Sequence, residues 1–116
     1  MINHNEMVTA LAKSGETIKQ ELKASDCHNL HMCMGAAGEL GELIDAVKKS
    51  IFYRKPLDRK NVIEELGDIE FYLEGLRQGL GITREVTIAG NINKLGARYD
   101  GFKYSDESAK ARADKS

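Results

Sequence analysis

Residues 35–73 read GAAGELGELIDAVKKSIFYRKPLDRKNVIEELGDIEFYL, two apolar-periodic segments joined by a charged turn that holds the chain's single proline, Pro56. Ala36, Leu40, Leu43, Ile44, Val47 and Ile51 recur at three- and four-residue intervals in the first segment. Val62, Leu66, Ile69, Leu73, Leu76 and Leu80 do the same in the second. That period marks amphipathic helix. Pro56 drives Lys55 out of helical geometry, and so short a turn makes the two helices antiparallel neighbours.

Two further blocks flank this pair. Val8, Leu11, Ile18 and Leu22 precede it, and Ile88, Ile92, Leu95 and Tyr99 follow. The spacing predicts helices over 4–24, 28–51, 59–79 and 84–99. Ser25-Asp26 and Thr83 supply capping oxygens, and Gly79 and Gly81 end the third helix. From Gly101 onward the chain is polar, with Phe102 and Tyr104 its only large apolar side chains. The expected fold class is all-α, a compact four-helix bundle over 1–100 with a weakly ordered C-terminal extension over 101–116.

Composition narrows the function. The 116 residues suit one domain, and so small a core favours association with further copies. Lys+Arg number 17 against 18 Asp+Glu, which excludes a protein that grips nucleic acid by bulk positive charge. The polar start lacks the apolar run of a signal peptide, and no stretch is long and apolar enough for a membrane. Cys27 and Cys33 are too few for a disulfide-stapled scaffold. The expected partners therefore exclude nucleic acid and membrane, and the expected compartment is the cytoplasm. The charge balance also conceals two regions. Residues 35–75 hold nine acids and six bases, and residues 84–116 hold seven bases and five acids.

The acids of the hairpin are patterned. Glu39-Leu-Gly-Glu42 lies in the second helix and Glu65-Leu-Gly-Asp68 in the third. Residues three apart are helix neighbours. On a helical wheel Glu39 and Glu65 lie just off the apolar stripe, with Glu42 and Asp68 further round on the same-handed edge. In an antiparallel pair same-handed edges share one flank, so the four carboxylates are expected to converge. Charges so close raise one another's pKa, and hard divalent cations relieve this; oxygen ligands select Mg²⁺ or Mn²⁺ over zinc. Asp45, Glu64, Glu70 and Glu74 read as ordinary surface charges. Gly38, Gly41 and Gly67 cost helix propensity around the acids, as expected where helices or a ligand approach closely.

Asn91, Lys94 and Arg98 form one polar stripe on the last helix, a donor row suited to polyphosphate. Cys27, His28, His31 and Cys33 match no zinc spacing, and no glutamate has the histidine three residues on that a di-iron bundle needs. His31 reads as a packed or substrate-facing side chain.

Taken together, residues 30–49, through Gly38-Glu39-Leu-Gly41-Glu42, resemble the first signature of MazG-like nucleotide pyrophosphohydrolases in the all-α NTP pyrophosphatase superfamily. Asn61 to Asp68 resembles the second, and Asn91-Ile-Asn-Lys94-Leu-Gly-Ala-Arg98-Tyr99 the third. Residues 103–114 are similar to an extension in phage and mobile-element members. The resemblance implies hydrolysis of a (d)NTP between its α- and β-phosphates, giving (d)NMP and pyrophosphate. It implies a homodimer or homotetramer, with Mg²⁺ (or Mn²⁺) on Glu39, Glu42, Glu65 and Asp68. His31, Lys48, Asn91, Lys94, Arg98, Tyr104 and Arg112 would contact substrate. Gly38 stands where many members carry glutamate, so Glu39, nearest the stripe, is the expected base. A dUTP/dCTP-restricted enzyme, a phosphoribosyl-ATP pyrophosphohydrolase and a non-catalytic nucleotide-binding helical module are the competing expectations.

Overall fold

The computed structural model describes residues 1–112 and 114, and within them the chain is all-helical. The elements are α1 (His4–Leu11), α2 (Gly15–Glu21), α3 (Ala24–Phe52), α4 (Arg59–Leu80) and α5 (Arg84–Arg98). A 3₁₀ turn (Asp100–Phe102) and α6 (Asp106–Ala111) follow. Of the extension expected at 101–116, Ala113, Lys115 and Ser116 lie outside the described residues.

Local chemistry sets the ends. The Asp58 carboxylate accepts the Asn61 backbone N–H at 3.1 Å, and the Thr83 hydroxyl accepts that of Val86 at 3.1 Å. Gly81 closes α4 in the left-handed region with φ 67°, a conformation open to glycine at little cost. Two boundaries differ from expectation. The block expected as one helix over 4–24 breaks after Leu11, because the Ser14 hydroxyl caps a new helix through Thr17 N–H. The helix expected from 28 starts at Ala24, with Asp26 in its first turn accepting the Lys23 N–H at 2.9 Å.

The extensive packing is between α3 and α4. Along α3 the shielded residues include Asn29, Met32, Ala36, Glu39, Leu43, Ala46 and Ser50. Along α4 they include Val62, Glu65, Ile69, Tyr72 and Leu76. Steps alternating between three and four make this a coiled-coil-like seam. Small residues on both helices let them approach: Tyr72 of α4 covers the bare backbone of Gly35, and Met32 of α3 covers Gly75. His28 Nε2 donates to the Gly75 carbonyl at 2.9 Å and ties the open end. Gly35→Ala is expected to displace Tyr72 and lower stability by about 1–3 kcal/mol, the usual cost of overpacking, read as a lower urea midpoint.

This seam shares Leu43, Val62, Ile69 and Leu76 with the apolar stripe of the sequence but is rotated from it. Leu40, Ile44, Val47 and Ile51 of α3 stay exposed, as do Leu66, Leu73 and Leu80 of α4. The wheel reading assumed that the greasiest face turns to the neighbouring helix; a face that includes Gly35, Ala36 and Ala46 does instead, and these small residues permit a close backbone approach. Among the described residues the expected compact bundle is correspondingly absent within one chain. The Cα radius of gyration is 20.1 Å, against about 13 Å for a compact chain of this length. Met32 and Ala46 are the only buried apolar side chains among the described residues.

Candidate metal and phosphate site

Glu39 and Glu65 occupy seam positions of α3 and α4, so the hairpin itself presses them together; Glu42 follows one turn after Glu39. Each of the three offers a carboxylate oxygen, and these oxygens lie within 4.8 Å of one another. Glu65 is 9% exposed. Glu39 Oε2 and Glu65 Oε2 are buried without a hydrogen-bond partner. A buried carboxylate lacking donors is costly, and here three share one small volume.

The relief open to the chain alone is a proton. Hydrogen bonding to Glu39 first, then burial, then hydrogen bonding to Glu42, push the Glu65 carboxyl up to about 7. The pattern is that of carboxyl groups sharing a proton because they cannot all ionise. A hard divalent cation would do the same job with two charges, and an all-oxygen donor set with two orphaned buried oxygens fits one.

The other expected site residues fall into separate groups. Asp68 is exposed on α4, one turn beyond Glu65, and is not part of the three-carboxylate group. Among the four acids Glu65, rather than Glu39, is the most enclosed. His31 is exposed and sets its ring edgewise to Tyr72 at 6.2 Å. Lys48 lies on the apolar flank, beside a hollow of about 390 Å³ lined by Leu43, Ile44, Val47, Ile51 and Phe52. Nine residues from Glu39, it projects from roughly the opposite side of α3.

Asn91, Lys94 and Arg98 share the stripe expected of them on α5, but α5 packs on the 3₁₀ turn and α6 rather than on the hairpin. Among the described residues the basic row is therefore not packed extensively against the carboxylates of the same chain. Tyr104 donates its hydroxyl to Asp106, and Arg112 is exposed in the left-handed region at φ 47°. Gly38, Gly41 and Gly67 face open space, so packing within the chain does not require them. The acids read as surface charges include Asp45, which pairs with Lys49 at 2.9 Å, and Glu74, which pairs with Arg77 at 2.9 Å.

The MazG nucleotide pyrophosphohydrolase domain matches residues 28–102, from the first turns of α3 through the 3₁₀ turn. The chain belongs to this family. All three clustered carboxylates and the α5 stripe fall within the MazG match, whereas α1, α2 and α6 lie outside it. The chain is also similar to Gene 37 protein of Mycobacterium phage L5, 31% identical over 85 residues that cover 66% of this chain and 75% of the phage protein. No solved structure matches. No helix among the described residues is long and apolar enough to cross a membrane.

Sequence reasoning missed Asp114 as a partner of the α5 stripe. Its carboxylate binds Arg98 from sixteen residues away, and no periodic pattern announces so distant a pairing.

Proposed function

We propose that this MazG protein is a Mg²⁺-dependent nucleoside triphosphate pyrophosphohydrolase, converting a (d)NTP into (d)NMP and pyrophosphate. The observation that carries the reading is the Glu39–Glu42–Glu65 cluster with its two orphaned buried oxygens, inside the family match. Glu39, Glu42 and Glu65 would hold the cation, and Asp68, one turn after Glu65, would be the further carboxylate if a fourth is recruited. When bound, the cation supplies charge neutralisation for phosphate oxygens and a lowered pKa for water beside it. Glu39, through its unpartnered Oε2, accepts the proton of the attacking water. Asn91, Lys94 and Arg98 orient the triphosphate and stabilise the charge that develops on departing pyrophosphate.

The site is assembled from more than one copy in this reading, as a homodimer or homotetramer. Two features support association. The accessible surface is 9489 Å², about 3,200 Å² above that of a compact monomer of this mass, and obligate interfaces bury about 2,000–5,000 Å². The excess includes the apolar flank of Leu40, Ile44, Val47, Ile51, Leu66, Leu73 and Leu80, and association would let a neighbour's α5 approach the acids. Ile44→Asp is expected to convert the assembly to monomer and to remove activity, read by sedimentation velocity and turnover together.

The direct test incubates the full chain with a panel of canonical and modified (d)NTPs and Mg²⁺, and identifies products. Monophosphate plus pyrophosphate is the expected outcome. Diphosphate plus phosphate, or no turnover of any triphosphate, overturns the assignment.

A further inference from the structure

Arg98 ends α5 with its guanidinium enclosed. Its side chain is 17% exposed and that of Asp114 is 4% exposed. Arg98 Nε donates to Asp114 Oδ1 at 2.7 Å, and Nη2 donates to Oδ2 at 3.2 Å. Paired N–H···O bonds of this kind fix a planar guanidinium in position and in plane. The hydrogen bond between them holds Asp114 below the usual carboxylate range and raises Arg98 above its ordinary value. The positive charge of Lys94, one turn earlier on the same stripe, also lowers Asp114.

The chain between the partners is fastened to α5 as well. Gly101 and Phe102 adopt φ 62° and 55° and turn the chain back. The Phe102 ring then lies against Gly96, where a Cβ would crowd it, and Tyr104 lies 5.6 Å from Tyr99, ring centre to ring centre. These contacts run the segment alongside α5, and the ion pair with Arg98 itself holds Asp114 at the polar stripe.

A guanidinium has five N–H donors arranged in forks. Pairing through Nε and Nη2 uses the side-on fork. It leaves the end-on fork, one N–H from each terminal nitrogen, to grip two oxygens of a phosphate. The carboxylate also offsets the repulsion between Lys94 and Arg98, which stand four residues apart on one helix face.

The geometry points to Asp114 as a positioning residue: it locks Arg98, beside Lys94, in the plane that offers its end-on fork to the triphosphate. This role rests on the pyrophosphohydrolase reading and on Arg98 as a phosphate contact, and Asp114 itself lies beyond the family match at 28–102.

The test uses the full chain and the (d)NTP turned over fastest in the panel. It compares wild type, Arg98→Ala, Asp114→Asn, Asp114→Glu and the Arg98→Ala/Asp114→Asn double variant. Phe102→Ala loosens the same segment while leaving both charged partners in place, and melting curves confirm that each variant is folded. Asp114→Asn is expected to raise KM for the triphosphate about ten- to a hundredfold, the range for a charged hydrogen bond, with a smaller change in kcat. Asp114→Glu recovers most of that loss, and Asp114→Asn adds nothing once Arg98 is alanine. Affinity for the monophosphate product stays within about twofold, as does the activity of Phe102→Ala, margins far below the effect of a lost charged hydrogen bond. Faster turnover in Asp114→Asn overturns the role, because the carboxylate would then compete with phosphate. An equal loss in Phe102→Ala also overturns it, by reducing Asp114 to a fastener of the segment. If Arg98→Ala is silent, the phosphate-contact reading falls and the positioning role with it. A loss in Arg98→Ala beside a silent Asp114→Asn overturns the positioning role alone.

Discussion

Glu65→Gln lowers kcat/KM by about 10³-fold or more, while the metal-free variant stays folded and melts higher than wild type above pH 7. The first half follows from cation binding. Glu65 is the most enclosed of the clustered acids, with one oxygen lacking any partner. Replacing that oxygen by an amide N–H₂ removes a ligand and turns a donor toward the cation. Metal assistance amounts to several kcal/mol, and each 1.36 kcal/mol is tenfold in rate. The second half follows from the like charges. Glutamine keeps the shape and can donate to Glu39, but adds no third negative charge to the seam. Turnover in Mg²⁺ and thermal melts in EDTA measure the two halves. Activity within about tenfold of wild type contradicts the metal assignment, because loss of a cation ligand cannot be so mild. A lower melting temperature contradicts the electrostatic account of the seam.

Without divalent cations the protein loses stability as pH rises through neutrality, and Mg²⁺ restores it most strongly on the alkaline side. The sign follows from Glu65, whose carboxyl is raised from 4.5 to about 7 by Glu39, burial and Glu42. A carboxyl with a higher pKa folded than unfolded binds its proton more tightly in the folded chain. That contribution is fully present below about pH 4.5 and disappears as pH climbs past about 7. The cation competes with the same proton, so its binding strengthens over the same interval. At a hundredfold excess over Kd, ligand linkage contributes about 2.7 kcal/mol, on the order of 10 °C in Tm for a small domain. Melting curves at pH 5.5 and 8.0, each in EDTA and in Mg²⁺, give the comparison. An equal Mg²⁺ shift at both pH values contradicts the assignment of Glu65 as the titrating ligand.

Much of this was readable before any coordinates. The intervals of Leu, Val and Ile placed α3, α4 and α5 to within a few residues, because tertiary packing rewards the period that helix geometry imposes. Pro56 marked the hairpin turn. Glu39, Glu42 and Glu65 stood out as spaced acids in apolar helices, and the structure brings those three together. The N-terminal block was less legible: Ser14 competes for the backbone by a local hydrogen bond that an apolar period does not register.

The face that α3 turns to α4 was legible only in part: Leu43 of the stripe and Glu39 at its edge lie in the seam. Hydrophobicity says that Leu40, Ile44, Val47 and Ile51 will be covered, without saying by what. Close approach of two backbones favours Gly35, Ala36 and Ala46, and that preference decided the seam and put Glu39 and Glu65 inside it. The sequence by itself determined the helices, the antiparallel hairpin and the inventory of acids and cations. The tertiary structure alone decided which acid is enclosed and which apolar flank is left bare. It also decided that Asp114 returns to Arg98. Helical period is a property of neighbours along the chain, while burial and ion pairing depend on what residues distant in sequence leave between them.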